Sequence, residues 1–170
     1  LHNLLTFEFQ GQVFPVNPKA SVVHSLKCYA SVEDIPDPVD LAVIAVPKRH
    51  VLATLESCGR KGVGAVVIIT AGFKEIGGAG LELAREAIRI VKQYVMRLVG
   101  PNCMGIVNHA LGAGLSFIPE YARAPRAQGG IAGFMHPYQS APRTPANAAA
   151  TLIALDLALG LGDYYDIGAL

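Results

Sequence analysis

Two uninterrupted apolar runs, each followed by an amphipathic segment, constrain the fold of this chain more than any other feature. Residues 41–46 read Leu-Ala-Val-Ile-Ala-Val, and residues 65–70 read Ala-Val-Val-Ile-Ile-Thr. Continuous rather than alternating apolarity is typical of strands covered on both faces of a sheet. Segments 48–60 and 81–95 carry apolar residues at helical spacing. Strands alternating with such helices predict right-handed βαβ units and a parallel, Rossmann-like α/β sheet.

The two helical segments have predicted ends and faces. Gly59 and Gly62 are expected to end the first helix, because glycine readily adopts the left-handed conformation that closes a helix. In the second helix, one apolar stripe is expected at Leu81, Ala84, Ile88, Val91 and Val95. A serine at position 31 with an aspartate at position 34 predicts a short capped helical turn.

Shorter apolar stretches predict further strands, at residues 12–16, 96–99, 106–107 and 115–118. Ligands of open parallel sheets bind outside the carboxyl ends of the strands. The loops expected to hold a ligand are therefore those that follow strands: residues 17–20, 47–49, 70–78 and 100–105.

Composition excludes several classes of protein. Apolar residues make up 52% and charged residues 16% of the chain, which indicates a core-rich domain and not a disordered one. The formal net charge is +1, so no nucleic-acid partner is expected. Cys28, Cys58 and Cys103 form no CxxC pair, which predicts neither a zinc site nor a disulfide framework and favours a reducing, cytoplasmic location.

The two ends of the sequence differ from its middle. Residues 1–7 lack an initiator Met and the basic region of a secretory signal. The apolar stretch 146–162 is interrupted by Asn147 and Asp156, so a buried helix is expected there instead of a membrane span. The expected division is a first domain at 1–122, a Pro/Ala/Arg-rich linker at 123–129 and part of a second α/β domain at 130–170.

Candidate binding residues follow the predicted strands. Lys19 is a cation where an NAD-binding fold usually offers an acid, which would suit a phosphorylated ribose, as in CoA or NADP. From its position alone, a solvated surface lysine is the favoured interpretation. Gly72 lets a ligand approach the backbone, where free N–H groups can bind an anion or amide; a strand-to-loop turn that needs positive φ is the alternative. Glu75 is expected to be a solvated loop acid, with a ligand contact as the alternative. Asn102 can donate and accept. Cys103 is interpreted as structural, with a nucleophile as the alternative, since the sequence identifies no basic partner for it.

Several common chemical signatures are absent from the sequence. It contains neither a G-x-G-x-x-G turn nor a Walker A pattern, and its five histidines lack metal-ligand spacing. No catalytic residue and no metal ligand is therefore assigned within this chain.

Five segments taken together resemble the CoA-binding domain of NDP-forming acyl-CoA synthetases, relatives of the succinyl-CoA synthetase α subunit. The resemblance covers roughly residues 1–120, and five short motifs in register are far more specific than any one of them. The segments are Val-Asn-Pro-Lys at 16–19, Cys-Tyr-Ala-Ser-Val at 28–32, Asp-Leu-Ala-Val-Ile-Ala-Val-Pro at 40–47, Ile-Thr-Ala-Gly-Phe-Lys-Glu at 69–75 and Gly-Pro-Asn-Cys-Met-Gly-Ile at 100–106.

The resemblance implies two sets of site residues. Lys19 would contact the nucleotide end of CoA. The expected CoA-contacting set is Lys19, Val46, Pro47, Ile69, Thr70, Ala71 and Gly72. The set expected to lie against a phosphohistidine loop is Gly100, Pro101, Asn102 and Cys103.

The resemblance also implies an activity and partners. Members of the family join a carboxylic acid to CoA with ATP or GTP, through an acyl phosphate and a phosphorylated histidine. ATP/ADP or GTP/GDP and Mg would be held by an ATP-grasp domain or subunit, and this chain alone is expected to be inactive. An oligomer is expected, with neither nucleic acid nor membrane as a partner.

Two departures from the family pattern bear on these expectations. The family's first strand and glycine-rich phosphate turn precede the segment equivalent to residues 1–7 and are missing, so weak CoA binding is expected. Residues 130–132 resemble the start of the family's flavodoxin-like second domain, but residues 136–143 replace its Ser-Gln-Ser-Gly turn. The tail is therefore interpreted as partial or diverged.

Three alternatives stay open at this point. One is a CoA-sensing regulatory module of a protein acetyltransferase, which an adjoining GNAT domain would favour. Another is an NADP-binding oxidoreductase or sensor domain, which the missing dinucleotide fingerprint disfavours. The last is a degenerate fragment without activity.

Overall fold

A computed structural model describes residues 1–6, 8–108, 113–116 and 131–135 of the chain. Three helices and eight strands lie within these residues. In chain order they are α1 His2–Thr6, β1 Val22–Val23, β2 Leu26–Lys27, β3 Leu41–Ile44, α2 Lys48–Lys61, β4 Ala65–Ile68, α3 Ala79–Gln93, β5 Arg97–Val99, β6 Cys103–Asn108, β7 Ala113–Ser116 and β8 Ile131–Met135.

The centre of the fold is a parallel sheet with strand order β3-β4-β5. Leu41 of β3 lies opposite Ala65 of β4, and Val66 of β4 lies opposite Leu98 of β5. Helices α2 and α3 connect these strands and contact each other. The predicted Rossmann-like α/β class is confirmed.

The core forms where both helices cover the sheet. Val66 and Ile68 of the central strand are fully buried. They pack in one cluster with Leu55 of α2 and with Ile90 of α3. Strands β3 and β4 end two residues earlier than the apolar runs do, so the last residues of each run are free to form the loops at the carboxyl edge.

Helix α2 begins where predicted and ends at only one of the two predicted glycines. Gly62 closes it in the left-handed conformation, at φ 82°. Gly59 lies inside the helix, so the prediction that it ends the helix was wrong. A Cβ at position 59 would overlap the ring of Tyr94, which explains why glycine stands there.

The buried face of α3 differs from the predicted stripe at its end. Ala84 and Val91 are buried as expected, together with Ala87 and Ile90. Val95 is 87% exposed and lies beyond the helix at φ 55°, so its inclusion in the stripe was wrong. The physical reason is that the chain reverses at this point to enter β5, and a periodic pattern contains no information about that reversal.

The prediction of a strand at residues 12–16 was also wrong. Val16 forms a single parallel bridge with Tyr29 and no longer ladder. Pro15 and Pro18 bracket this bridge, and proline has no N–H group to donate to a ladder. Strands β1 and β2 instead form a short antiparallel hairpin, which the sequence did not predict.

The capped turn predicted near Ser31 is confirmed. Residues Val32–Asp34 form a 3₁₀ turn, and Ser31 with Asp34 forms a capping box at its start. The Ser31 N–H group donates to Asp34 Oδ2 at 2.9 Å. This turn packs against α2.

A second sheet is antiparallel, with strand order β7-β6-β8. Strand β6 is longer than the predicted 106–107, and β7 overlaps the predicted 115–118 as far as the described residues extend. Strand β8 pairs with β6, with Asn108 opposite Ile131. The linker at 123–129, most of the tail at 130–170 and the helix expected at 146–162 lie outside the described residues, so the domain division stays a prediction.

None of the helices in the described part of the chain has the length and apolarity needed to cross a membrane.

Substituting Gly80 with alanine tests the packing of α3 on the loop before it. A Cβ at this buried position would overlap the carbonyl oxygen of Phe73 and lie 2.5 Å from Ile76 Cγ1. Gly80→Ala is therefore expected to lower the free energy of unfolding by about 1–3 kcal/mol, although alanine is the better helix former. Urea denaturation measures the change.

Gly64→Ala is the matched control, because the nearest atom to its Cβ would be Asp40 O at 3.5 Å. Its stability is expected to stay close to that of the wild type. A Gly80→Ala variant at least as stable as the wild type would contradict the packing described.

Candidate functional site

The loops after β3 and β4 are joined by hydrogen bonds at the carboxyl edge of the parallel sheet. Thr70 Oγ1 donates to the carbonyl oxygen of Val46 at 2.7 Å. The Ile69 N–H group donates to Ile44 O at 3.0 Å. The segments carrying Val46 and Thr70 are thus held side by side, with Pro47 and Ala71 exposed beyond them.

The segment at 100–105 joins the same edge. The Asn102 N–H group donates to Thr70 O at 3.0 Å, and Cys103 Sγ donates to Ile68 O at 3.3 Å. Gly100 adopts φ 92°, and a Cβ there would overlap the Ile68 carbonyl oxygen. Three of the four loops expected to hold a ligand therefore meet at one place.

Gly72 lies at the centre of a turn whose N–H groups are already occupied. Its φ is 98°, and its N–H group donates to Glu75 Oε1. The next N–H group, that of Phe73, donates to Glu75 Oε2 at 3.1 Å. The expectation of free N–H groups at this turn was wrong, because the carboxylate of the same chain accepts from them. The alternative, a turn that needs positive φ at Gly72, is confirmed.

Lys48 is a residue of this edge that the sequence did not single out. It is the first residue of α2, and its side chain lies across Gly72: Cδ and Nζ lie 2.8 and 3.3 Å from where a Cβ of Gly72 would be. Arg49 and His50 follow, and the first turn of α2 contains no acid. Because a helix N-terminus is itself partly positive, the first turn of α2 concentrates positive charge. The sequence feature that could have identified Lys48 is its position directly after Val46 and Pro47.

Lys19 lies on a different turn. Its side chain is exposed, and its N–H group donates to Asn17 Oδ1 at 3.0 Å. Asn17 is held in turn by its own N–H group, which donates to Tyr29 O at 2.8 Å. The structure thus brings the segments that carry Val46, Thr70 and Asn102 together at one edge. Lys19 follows the bridge between Val16 and Tyr29, on a turn of its own.

The thiol of Cys103 is suited to packing. Its residue is only 3% exposed, and burial raises its pKa. A raised pKa keeps the thiol protonated at neutral pH, and the nucleophilic form of cysteine is the thiolate. Burial likewise raises the pKa of Cys58, to about 11. Both cysteines are therefore small core residues. This agrees with the interpretation of Cys103 as structural.

The described residues contain no group of three or more His, Cys, Asp or Glu side chains that could hold a metal ion.

A model of the family described as CoA binding domain matches residues 1–109. The chain belongs to this family. The resemblance seen in the five sequence segments is therefore confirmed, and the edge formed by Val46, Thr70 and Asn102 is an edge of a CoA-binding domain.

Named relatives of this CoA-binding domain are ligases. The chain is 46% identical over 110 residues to the ADP-forming acetate–CoA ligase of Methanocaldococcus jannaschii, a match covering 65% of the chain and 15% of the relative. It is 49% identical over 112 residues to the alpha subunit of the ADP-forming acetate–CoA ligase II of Pyrococcus furiosus, covering 65% and 24%. The chain thus spans less than a quarter of the length of these two relatives.

A solved structure shares the fold. The dinucleotide-forming acetyl-coenzyme A synthetase 1 of Ca. Korarchaeum cryptofilum, in complex with phosphate and ADP, is 44% identical and superimposes with a TM-score of 0.68. The match covers 70% of this chain and 25% of that one. The CoA-binding domain is therefore one part of a larger enzyme in these relatives, and the individual contacts assigned to its residues here stay predictions.

Alkylation tests the assignment of Cys103. The Cys103 thiol is buried and its pKa is raised. Iodoacetamide at neutral pH is therefore expected to alkylate Cys103 at least about 100-fold more slowly in the native protein than in the unfolded protein. Peptide mapping by mass spectrometry gives the rate. Protein in concentrated urea is the control, and rapid modification of the native protein would show a reactive thiolate instead.

Proposed function

We propose that this chain is the CoA-binding portion of an NDP-forming acyl-CoA synthetase, which joins a carboxylic acid to CoA with ATP or GTP through an acyl phosphate and a phosphohistidine. The observation that carries the proposal is the family match over residues 1–109, which includes every predicted contact residue. The names of the relatives, ADP-forming acetate–CoA ligases, support the reaction class.

The geometry of the carboxyl edge suits a CoA site. The loops that carry Val46, Thr70 and Gly72 are joined to one another, so a ligand meets a single surface. Lys48 adds an exposed cation to this surface. Lys19 adds a second exposed cation, on a different turn. Two cations from different loops fit a ligand that carries phosphate groups at more than one position.

The remaining parts of the reaction belong to other parts of the enzyme. An ATP-grasp domain or subunit would hold ATP/ADP or GTP/GDP and Mg, and a phosphohistidine loop would approach the segment from Gly100 to Cys103. The relative from Pyrococcus furiosus is named as an alpha subunit, which supports a division of the enzyme between chains. We place the assembled enzyme in the cytoplasm as an oligomer, without nucleic acid or membrane partners, and expect no ligation by this chain alone.

Calorimetric titration with CoA, dephospho-CoA and NADP tests the proposal. CoA is expected to bind more tightly than dephospho-CoA by about three- to tenfold, because Lys19 meets the 3′-phosphate. Lys19→Ala is expected to remove this difference. NADP is expected to bind more weakly than CoA, since it lacks the pantetheine arm.

The charge-matched control is Arg85→Ala, which removes one cation from the exposed face of α3. It is expected to bind CoA as the wild type does. A folded wild-type chain that binds NADP and not CoA would overturn the proposal, and equal affinities of CoA and dephospho-CoA would overturn the role of Lys19 alone.

Lys48→Ala tests the second cation. Its removal is expected to weaken CoA binding by about three- to tenfold at low ionic strength and by less at high ionic strength, since salt screens exposed charges. Titration at two salt concentrations measures both effects. Lys48→Arg keeps the charge and is expected to retain most of the affinity, whereas an unchanged Kd for Lys48→Ala would remove Lys48 from the site.

A further inference from the structure

Glu75 fills an anion-binding nest made by its own chain. Its two oxygens accept from two successive N–H groups, those of Gly72 and Phe73, the second at 3.1 Å. Successive N–H groups that point into one concavity attract anions such as phosphate, and such bonds to a carboxylate are strong because the acceptor is charged. The anion present at the carboxyl edge of β4 is therefore a side chain of the protein.

The carboxylate is anchored from its own side of the turn. Glu75 lies in a 3₁₀ turn, Lys74–Ile76, which is closed by the Gly77 N–H group donating to Lys74 O at 3.0 Å. Phe73, directly before it, is 1% exposed and belongs to the core cluster. The hydrogen bonds that Glu75 accepts therefore hold Gly72 against a part of the chain that is fixed by the core.

The backbone conformation of Gly72 determines the shape of the turn at the site. Its φ of 98° lies in the left-handed region, and the side chain of Lys48 lies against it. The preceding residue, Ala71, is exposed, and Thr70 donates to Val46. A change of conformation at Gly72 would shift the surface formed by Ala71 and Lys48, whereas the bond from Thr70 to Val46 would hold the strand end in place.

We propose that Glu75 is a positioning residue of the CoA site: an internal anion that fixes the Gly72 turn in its binding conformation and keeps phosphate out of the nest. The inference rests on the proposed function, since it assigns the turn to a CoA site. Direct contact between Glu75 and CoA does not explain the geometry, because both carboxylate oxygens face the backbone and CoA is itself an anion. A solvated acid does not explain this geometry either, since both carboxylate oxygens of Glu75 accept hydrogen bonds from the backbone.

Titration of Glu75 variants with CoA tests this role. Glu75→Ala is expected to weaken CoA binding by about tenfold, and Glu75→Gln, which keeps one oxygen as an acceptor, by about threefold. Formate is a free carboxylate that can enter the emptied nest. It is expected to restore CoA binding to Glu75→Ala in a concentration-dependent way and to leave the wild type unchanged. Glu86→Ala, which removes an acid from the exposed face of α3, is the charge-matched control and is expected to bind as the wild type does.

The backbone amide signals of Gly72 and Phe73 in NMR spectra give a second readout that does not depend on CoA. In Glu75→Ala both signals are expected to move, and formate is expected to move them back. Thermal unfolding checks that the variant is folded; should Glu75→Ala fail to fold, Glu75→Gln with its threefold loss carries the test.

The outcomes separate the two proposals. If the wild type binds CoA and folded Glu75→Ala binds it equally well, the positioning role is overturned while the proposed function stands. If formate does not restore the affinity lost in Glu75→Ala, occupancy of the nest is not what the site requires, and the inference fails. If the wild type binds no CoA, the proposed function fails, and the amide signals still decide whether Glu75 holds the turn.

Discussion

The arrangement of the candidate site depends on the pair of hydrogen bonds made by Thr70. Its hydroxyl group donates to the Val46 carbonyl, and its own carbonyl accepts from the Asn102 N–H group. One residue thereby ties the end of the central strand to the loop after β3 and to the segment that starts β6. A threonine at the end of a buried strand can do this because its hydroxyl lies next to the backbone, where it satisfies a carbonyl that the shortened ladder leaves unpaired.

The central sheet could be predicted from the sequence because its signal is local. The run at 65–70 forms the strand covered on both faces that continuous apolarity predicts, with Val66, Val67 and Ile68 buried. The run at 41–46 also forms a strand, but Val43 is 40% exposed, so the prediction that both of its faces are covered was wrong. The hairpin of β1 and β2 carries no comparable signal, since its strands of two residues each are too short for a period. In the antiparallel sheet, short apolar stretches predicted strands at 106–107 and 115–118 but did not predict their pairing or the full length of β6. The exposure of Val95 shows the same limit: the helical pattern continues past Gln93, and only the position of β5 requires the chain to turn there.

The candidate site was predictable at the level of loops and not at the level of contacts. The rule that ligands lie at the carboxyl ends of parallel strands selected the segments that carry Pro47, Thr70 and Asn102, and the structure brings these segments together. It gave no indication that Glu75 would turn back onto the Gly72 and Phe73 N–H groups, or that Lys48 would lie across Gly72. Those contacts accompany the left-handed conformation of Gly72, which composition and spacing do not encode. The individual roles of Lys19 and of the residues from Gly100 to Cys103 remain predictions.

The double role of Thr70 has a consequence for how a ligand would be received. Loops that are bonded to one another through Thr70 and its neighbours at the end of the central strand share one conformation, so ordering one of them orders the others. The entropy cost of shaping such a surface is met during folding, before any ligand arrives. A molecule that touches only one of these loops therefore gains the benefit of a preorganised edge, and little of its binding free energy is spent on arranging the other two.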